Sequence, residues 1–287
     1  MDISSLEAFI AVARHRSFSK ASEQLFVTQP AVSKRVSALE NELQTELFNR
    51  ISRQISLTEA GEQMLPKAQE LINQAKDLRR YALNLNSHVS GTLSVSISHH
   101  IGLHRMPPVL KRFNQLYQDA KLDIRFEDSE QAFSAVEQGD IEFAVITLPS
   151  ELPPNLVLES AWHDDLFIVA AHQHELVRSD ASGIEALSNF PAVLPSSDTE
   201  TYKVVARQFE QQGLRLNTQM STNNLETLKM LAVVGIGWTI LPKIMLSDEL
   251  ATISIGIPLS RRLGVIYHRK RSLTNAAKAL KELILAG

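Results

Sequence analysis

Near the N-terminus, Gln29, Ser33, Lys34 and Ser37 bring amide, hydroxyl and ammonium groups onto one side of a helical pattern. Such groups suit nucleic acid: Gln pairs with adenine, Lys and Arg with guanine, and Ser with either base or phosphate. A little further on, Arg50 and Arg53 are spaced to hold phosphates. A second polar set lies beyond residue 90, where Ser98, His99, His100, Ile101, Thr147, Ser196, Ser197 and Thr199, and the turn through Gly237 and Trp238, fall at strand ends and helix starts. Hydroxyls beside free helix N–H groups suit a carboxylate or inorganic anion, although capping alone would also explain each serine. His99 or His100 would add a donor, or a charge at low pH, for such a ligand. His100 and His104 have metal-ligand spacing, but no Cys and no convincing carboxylate completes a site, so no metal is expected.

Reaction chemistry is missing from the pattern. There is no Gly-x-Ser-x-Gly, no phosphate-cradling Walker loop and no Gly-x-Gly-x-x-Gly after a strand, so neither enzymatic activity nor a cofactor is expected. The absence of cysteine removes disulfides, thiol nucleophiles and thiolate metal sites, and it fits a reducing compartment. No apolar run approaches the roughly 18 to 20 residues that cross a bilayer, and Asp2 and Glu7 replace the basic start of a secretory leader. A cytoplasmic protein without a membrane partner is expected.

The elements that must hold these residues follow from periodicity. Leu6, Phe9, Ile10 and Ala13 mark one helix, and Ser17 opens a second that runs to Leu25. Thr28 caps a third, with Pro30 in its first turn and Val32, Val36, Leu39 and Leu43 as the inward stripe. Phe48, Ile55 and Leu57 suggest a small hairpin. On pattern alone, this arrangement could be a DNA-reading helix pair or simply a bundle with a polar face. Charge does not decide: the first 90 residues hold 11 Lys and Arg against 10 Asp and Glu, and the remainder 18 against 22.

From residue 59 to about 86 a single helical pattern carries Met64, Ala68, Leu71, Ala75, Leu78, Ala82 and Leu85 at alternating steps of four and three. That seven-residue repeat predicts a face for a second helix, or for packing on the chain's own C-terminal part. After the polar stretch around Asn86 to Gly91, strands alternate with helices, and open, mostly parallel sheets are expected. One helix is predicted from about Gly102 to Tyr117, and separate strands at Leu156–Ala161 and Leu166–Ala171.

The ordered series Leu6-Glu-Ala-Phe9, Ser17-Phe18, Ala21, Leu25, Thr28-Gln-Pro-Ala-Val-Ser33, Leu39-Glu40, Leu43, Leu47-Phe48, Arg50, Arg53 and Leu57-Thr-Glu-Ala-Gly61 strongly resembles the LysR-type transcriptional regulators. The resemblance is dense over sixty residues and thin after Gly91. It implies a winged helix-turn-helix over 1–58 (all-α with a small β wing), a linker and dimerisation helix over 59–86, and a two-lobed α/β effector-binding domain over 91–287, similar to periplasmic binding proteins. Lobe 1 would take 91–162 and 265–287, and lobe 2 would take 163–264. Carried onto this chain, the family pattern makes Thr28, Gln29, Pro30, Ser33, Lys34, Arg35 and Ser37 the DNA-reading start of the third helix. Arg50 and Arg53 become wing arginines, and Thr58 the cap of the linker helix. The resemblance also implies a homodimer or homotetramer that binds operator DNA, a small metabolite between the lobes, which the hydroxyls and helix starts named above make an anion, and RNA polymerase as a further partner. Two other readings differ in class: a solute-binding protein, which the attached helical N-terminal part argues against, and a DNA scaffold without ligand, which two lobes of sensor argue against.

Overall fold

The computed structural model describes residues 1–49, 55–85, 88–179 and 183–287. They form two compact units, Met1–Leu85 and Asn86–Gly287. No helix among the described residues is long and apolar enough to cross a membrane.

In the first unit, α1 (Ile3–His15), α2 (Phe18–Gln24) and α3 (Gln29–Leu43) surround one core. Asp2 caps α1 by accepting from the Ser5 N–H, and Ser17 caps α2 by accepting from that of Lys20. Val32, Val36 and Leu39 of α3 are buried against Leu6, Phe9 and Val12 of α1. Phe48 meets Phe9 edge-on at 5.5 Å and Phe18 at 6.0 Å between ring centroids. Strands β1 (Phe48–Asn49) and β2 (Ser56–Leu57) pair antiparallel, and the Glu40 carboxylate of α3 accepts from the Leu47 and Phe48 N–H groups, tying this ladder to the helix. The long helix α4 (Glu59–Asn84) follows. Thr58 caps it, accepting from the Gly61 N–H at 3.0 Å while its own hydroxyl donates to the Glu46 carbonyl. Helix α4 runs through Pro66, whose missing N–H leaves the Glu62 carbonyl without its helical donor; both residues are exposed, so water can take that place.

The second unit runs β3 (Gly91–Ser98), α5 (His99–His104), α6 (Met106–Leu116), β4 (Ala120–Glu127), α7 (Ser129–Gln138), β5 (Phe143–Thr147), β6 (Leu156–Ala171), α8 (Glu175–Arg178), α9 (Gly183–Ser188) and β7 (Ala192–Leu194). It continues through α10 (Glu200–Gln211), β8 (Thr218–Ser221), α11 (Leu225–Val233), β9 (Thr239–Pro242), β10 (Leu250–Ile253), β11 (Leu259–His268) and α12 (Asn275–Leu285). In lobe 1, β4, β3 and β5 are parallel and β11 adds antiparallel to β5. Apolar groups lie on both sheet faces: Leu93, Val95, Ile97, Phe143 and Val265 pack with α6 and α12, while Ala144, Ile146 and Ile266 pack with α7. In lobe 2, Leu166, Ile168 and Ala170 of β6 face one core and Val169 the other.

Three expectations change here. Residues 156–161 and 166–171 are one strand, because β6 pairs with β11 straight through the crossing, from Leu259↔Leu166 to His268↔Leu156, with one irregularity at Leu263/Gly264. Gly264 fits that place since a Cβ there would lie 2.2 Å from the Glu159 carbonyl oxygen. The helix predicted over 102–117 is two, broken at Arg105, after which Pro107 and Pro108 occupy the first turn of α6, where their missing N–H groups cost nothing. The sheets are mixed rather than mostly parallel, since β6 and β11 run antiparallel to each other and to their other neighbours. Strands β8 and β10 and helices α8, α9 and α12 were not anticipated.

Candidate DNA-reading face and effector cleft

On α3, Pro30 and Lys34, opposite the buried stripe, are exposed and Ser33 and Ser37 are half-buried, while Gln29 is exposed at the helix start on one flank of the stripe. Arg35 is also half-buried, and at 100° per residue it falls on the other flank of the stripe, away from Ser33 and Ser37. Thr28 starts the helix with extended backbone, but its side chain makes no cap bond and the residue is exposed. Arg50 and Arg53 lie outside the described residues.

Along α4 the seven-residue stripe divides. Ala68 is 2% exposed in the N-terminal core and Met64 packs part-buried beside it, with Ile72 completing the contact, so these two positions serve the chain's own domain instead of a partner. Ala75 is half-buried, whereas Leu71, Leu78, Ala82 and Leu85 are exposed, as is Tyr81.

Between the lobes of the second unit lies a cavity of about 50 Å³. Lobe 1 contributes Ser98, His99, His100 and Thr147 from the ends of β3 and β5, with Asp128, Ser129 and Glu130 at the start of α7. Lobe 2 contributes Pro195, Thr199, Glu200 and Thr201 at the start of α10, and Asn223 and Leu225 at α11. Arg261 reaches it from the crossing strand β11. Of the expected ligand residues, the structure therefore gathers Ser98, His99, His100, Thr147 and Thr199.

Ile101, Ser196, Ser197, Gly237 and Trp238 are not in that wall, and physical reasons are visible for most. Ile101 is fully buried in the lobe 1 core. The Ser196 N–H donates to Asn223 Oδ1, and Ser197 is exposed. A Cβ on Gly237 would lie 2.5 Å from the Pro191 carbonyl, so that glycine serves close strand packing. Trp238 is fully buried, stacks on Phe209 at 6.0 Å and shares its indole N–H between the Leu187 and Phe190 carbonyls. An apolar ring with a satisfied donor belongs to the core of lobe 2.

Arg261 was not anticipated, yet it organises the floor of the cleft. Its Nε donates to Asp164 Oδ2 at 2.9 Å, Nη1 to the Thr201 hydroxyl of lobe 2, and Nη2 to His100 Nε2 of lobe 1 at 2.8 Å. Arg105 also approaches Asp164, at 3.4 Å. Arg261 and Asp164 are cross-strand partners on β11 and β6, so the register of the crossing strands makes the pair. Burial lowers the Arg261 pKa somewhat, opposed by Asp164. Burial and then the Arg261 charge hold His100 well below the usual imidazole range. His100 is therefore neutral, with its Nε2 lone pair accepting from the guanidinium, and the expectation that it would carry charge toward a ligand is corrected.

The Ser98 hydroxyl is buried and has no hydrogen-bond partner. Elsewhere in the wall, Asp128 of lobe 1 accepts from Asn223 Nδ2 at 3.0 Å, and Glu200 of lobe 2 accepts from Lys203 at 2.9 Å and from the Ser150 N–H at 3.2 Å. Burial, then Asp198 and Asp128, push the Glu130 carboxyl upward. His104 pairs with Glu226 at 3.0 Å, so its ring and that of His100 have different partners. Together with Asn223–Asp128, that pair links lobe 1 to lobe 2.

A polar-faced third helix in one unit, followed along the chain by a two-lobed, cleft-bearing unit, defines a ligand-sensing DNA-binding protein. Residues 3–62 match the bacterial regulatory helix-turn-helix protein, lysR family, and residues 86–287 match the LysR substrate binding domain. The chain belongs to the LysR family of transcriptional regulators, which are not enzymes. It is 28% identical over 98% of its length to the transcriptional activator CmpR of Synechocystis sp., covering 93% of that protein. It is 56% identical over 108 residues, 38% of this chain and 75% of the relative, to an uncharacterized regulator of Azotobacter vinelandii. Among solved structures, a full-length OxyR variant from Pseudomonas aeruginosa aligns at TM-score 0.69 and 19% identity, covering 99% of this chain and 94% of that one. Full-length CbnR complexed with its target DNA aligns at TM-score 0.62 and 18% identity, over 99% of both chains. The fold is shared with both.

Proposed function

We propose that this regulator reads its operator with Thr28, Gln29, Pro30, Ser33, Lys34 and Ser37, with Arg35, Arg50 and Arg53 toward phosphates. Residues 1–58 would serve that task, 59–86 would pair with a second copy, and 91–287 would sense a small anion. In this reading, the protein acts in the cytoplasm as a dimer or tetramer and alters transcription through contact with RNA polymerase. The observation that carries the sensing role is the cavity between the lobes, where the buried Ser98 hydroxyl lacks a partner and the guanidinium of Arg261, ion-paired with Asp164, forms part of the wall. An oxyanion satisfies the hydroxyl and adds to the contacts of the guanidinium, while Asp128, Glu130 and Glu200 in the same wall oppose a second negative charge. A small acid carrying one negative charge fits both conditions. Its binding between the lobes would favour one closure state, and so one spacing of the paired DNA-binding units.

The test is a thermal-shift screen of the full-length protein against small monocarboxylic acids and inorganic anions, repeated with Ser98→Ala. A stabilising acid whose effect is lost in Ser98→Ala supports the reading. Stabilisation only by amines or neutral compounds, unchanged in the variant, would overturn the anion assignment.

A further inference from the structure

The turn joining α2 to α3 contains a residue that folding does not account for. Helix α2 ends with the Phe26 N–H donating to the Glu23 carbonyl at 3.2 Å and the Val27 N–H to the Ser22 carbonyl at 3.1 Å. This pair of bonds is the Schellman motif, which places its central residue in the left-handed region, where glycine or asparagine is favoured. Here that residue is Phe26, at φ 53°. Arg16 and Gln44 adopt the same region at the ends of α1 and α3, but their polar side chains belong in water. Phe26 leaves an apolar ring 95% exposed, although Phe9, Phe18 and Phe48 of the same unit gather around one core. It stands two residues before Thr28, in the turn that leads into the exposed start of α3 with Gln29 and Pro30.

We propose that Phe26 is a specificity-determining residue that packs its ring on the 5-methyl group of a thymine in the major groove, next to the base read by Gln29. The thymine methyl is the one apolar feature of the base edges there, and Phe is among the side chains that contact it. Covering the ring and the methyl removes apolar surface from water, which gives an otherwise unexplained exposed aromatic a role. The proposal rests on α3 entering the major groove.

The experiment uses the full-length protein and a duplex selected by it from a randomised library, with binding read by fluorescence anisotropy at fixed salt. Phe26→Asn suits the left-handed backbone and is expected to melt no lower than wild type; a lower melting temperature would show that the ring supports the fold and overturn the proposal. Phe26→Asn should bind the selected duplex about tenfold more weakly, with Phe26→Leu between the two. Thymines of the site are then replaced one at a time by deoxyuridine, which removes only the methyl. At one position this should cost wild type about fourfold and Phe26→Asn nothing. Unchanged affinity of Phe26→Asn would overturn the proposal, as would a loss in which every deoxyuridine costs both proteins equally, since the ring would then be meeting sugar or a second protomer. Gln29→Ala separates the levels: if it binds the selected duplex like wild type, or if no duplex is selected, the groove assignment itself fails. If Gln29→Ala weakens binding and Phe26→Asn does not, only the thymine contact is lost.

Discussion

Arg261 is the only Arg or Lys in the described wall of the cleft, and its partners come from β6, α5 and α10. Removing it as Arg261→Met would leave Asp164, itself 2% exposed, with only the longer contact to Arg105. A buried carboxylate left in that condition costs about 3–5 kcal/mol. Urea unfolding should show a loss of that order in the C-terminal unit; a change below about 1 kcal/mol would mean that Asp164 finds water or another cation. His100 gives a pH signature. Its imidazole is held neutral in the fold, so the unfolded chain takes up a proton first as pH falls below about 6.5, and stability drops from there down to the folded pKa. Melting temperatures between pH 7.5 and 5 should therefore fall less steeply in His100→Gln than in wild type. Equal slopes would place the titration elsewhere. Arg261 escaped the sequence reading because its partner Asp164 is 97 residues away and only the strand register brings them together. The available signal was the pair Arg261-Arg262 inside a strand pattern and the matching Asp164-Asp165 in the other crossing segment.

At the scale of elements, α4 offers Leu71, Leu78 and Leu85 on one exposed face. Exposed leucines at seven-residue spacing are expected to be covered by another helix. Leu78→Asp, 71% exposed and outside the N-terminal core, should lower the assembly state measured by light scattering without lowering the melting temperature of the first unit. An unchanged mass would remove this face from the protomer contact. Helices α1 to α3 were legible because each carries a local apolar period behind a residue of capping type, Asp2, Ser17 or Thr28. The crossings near Trp162-His163 and Leu259 to Gly264 were legible too, but the continuity of the first as a strand was not, since Trp162, His163 and Asp165 in the middle of β6 are half-exposed or exposed and read as a loop. Their strand character comes from β11, a partner far away in sequence. The stripe on α4 misled at its start for a related reason: periodicity marks an apolar face without saying which neighbour covers it, and Met64 and Ala68 are covered by the chain itself.

For the molecule as a whole, sensing and DNA reading reside in separate units, so control requires that ligand energy be exchanged for a change in the DNA-binding state. Contacts between the lobes without ligand, such as Asn223–Asp128 and His104–Glu226, set how far the closed form is favoured beforehand. Asn223→Ala should weaken closure and shift effector response to higher concentration while leaving operator affinity without effector within about threefold of wild type. Titration of the protein–duplex complex with a stabilising acid would read both. The near-neutral charge of the first 90 residues means that affinity depends on a few placed groups more than on bulk attraction. The most direct measurement is fluorescence anisotropy of the full-length protein with a library-selected duplex and its scrambled counterpart over a salt series, for wild type and Gln29→Ala. The account predicts a preference of about 10³ or more for the selected duplex, reduced in Gln29→Ala by roughly 1–3 kcal/mol with little change on the scramble. Weak binding to both duplexes that is equal at every salt concentration, and unaffected by Gln29→Ala, would contradict it.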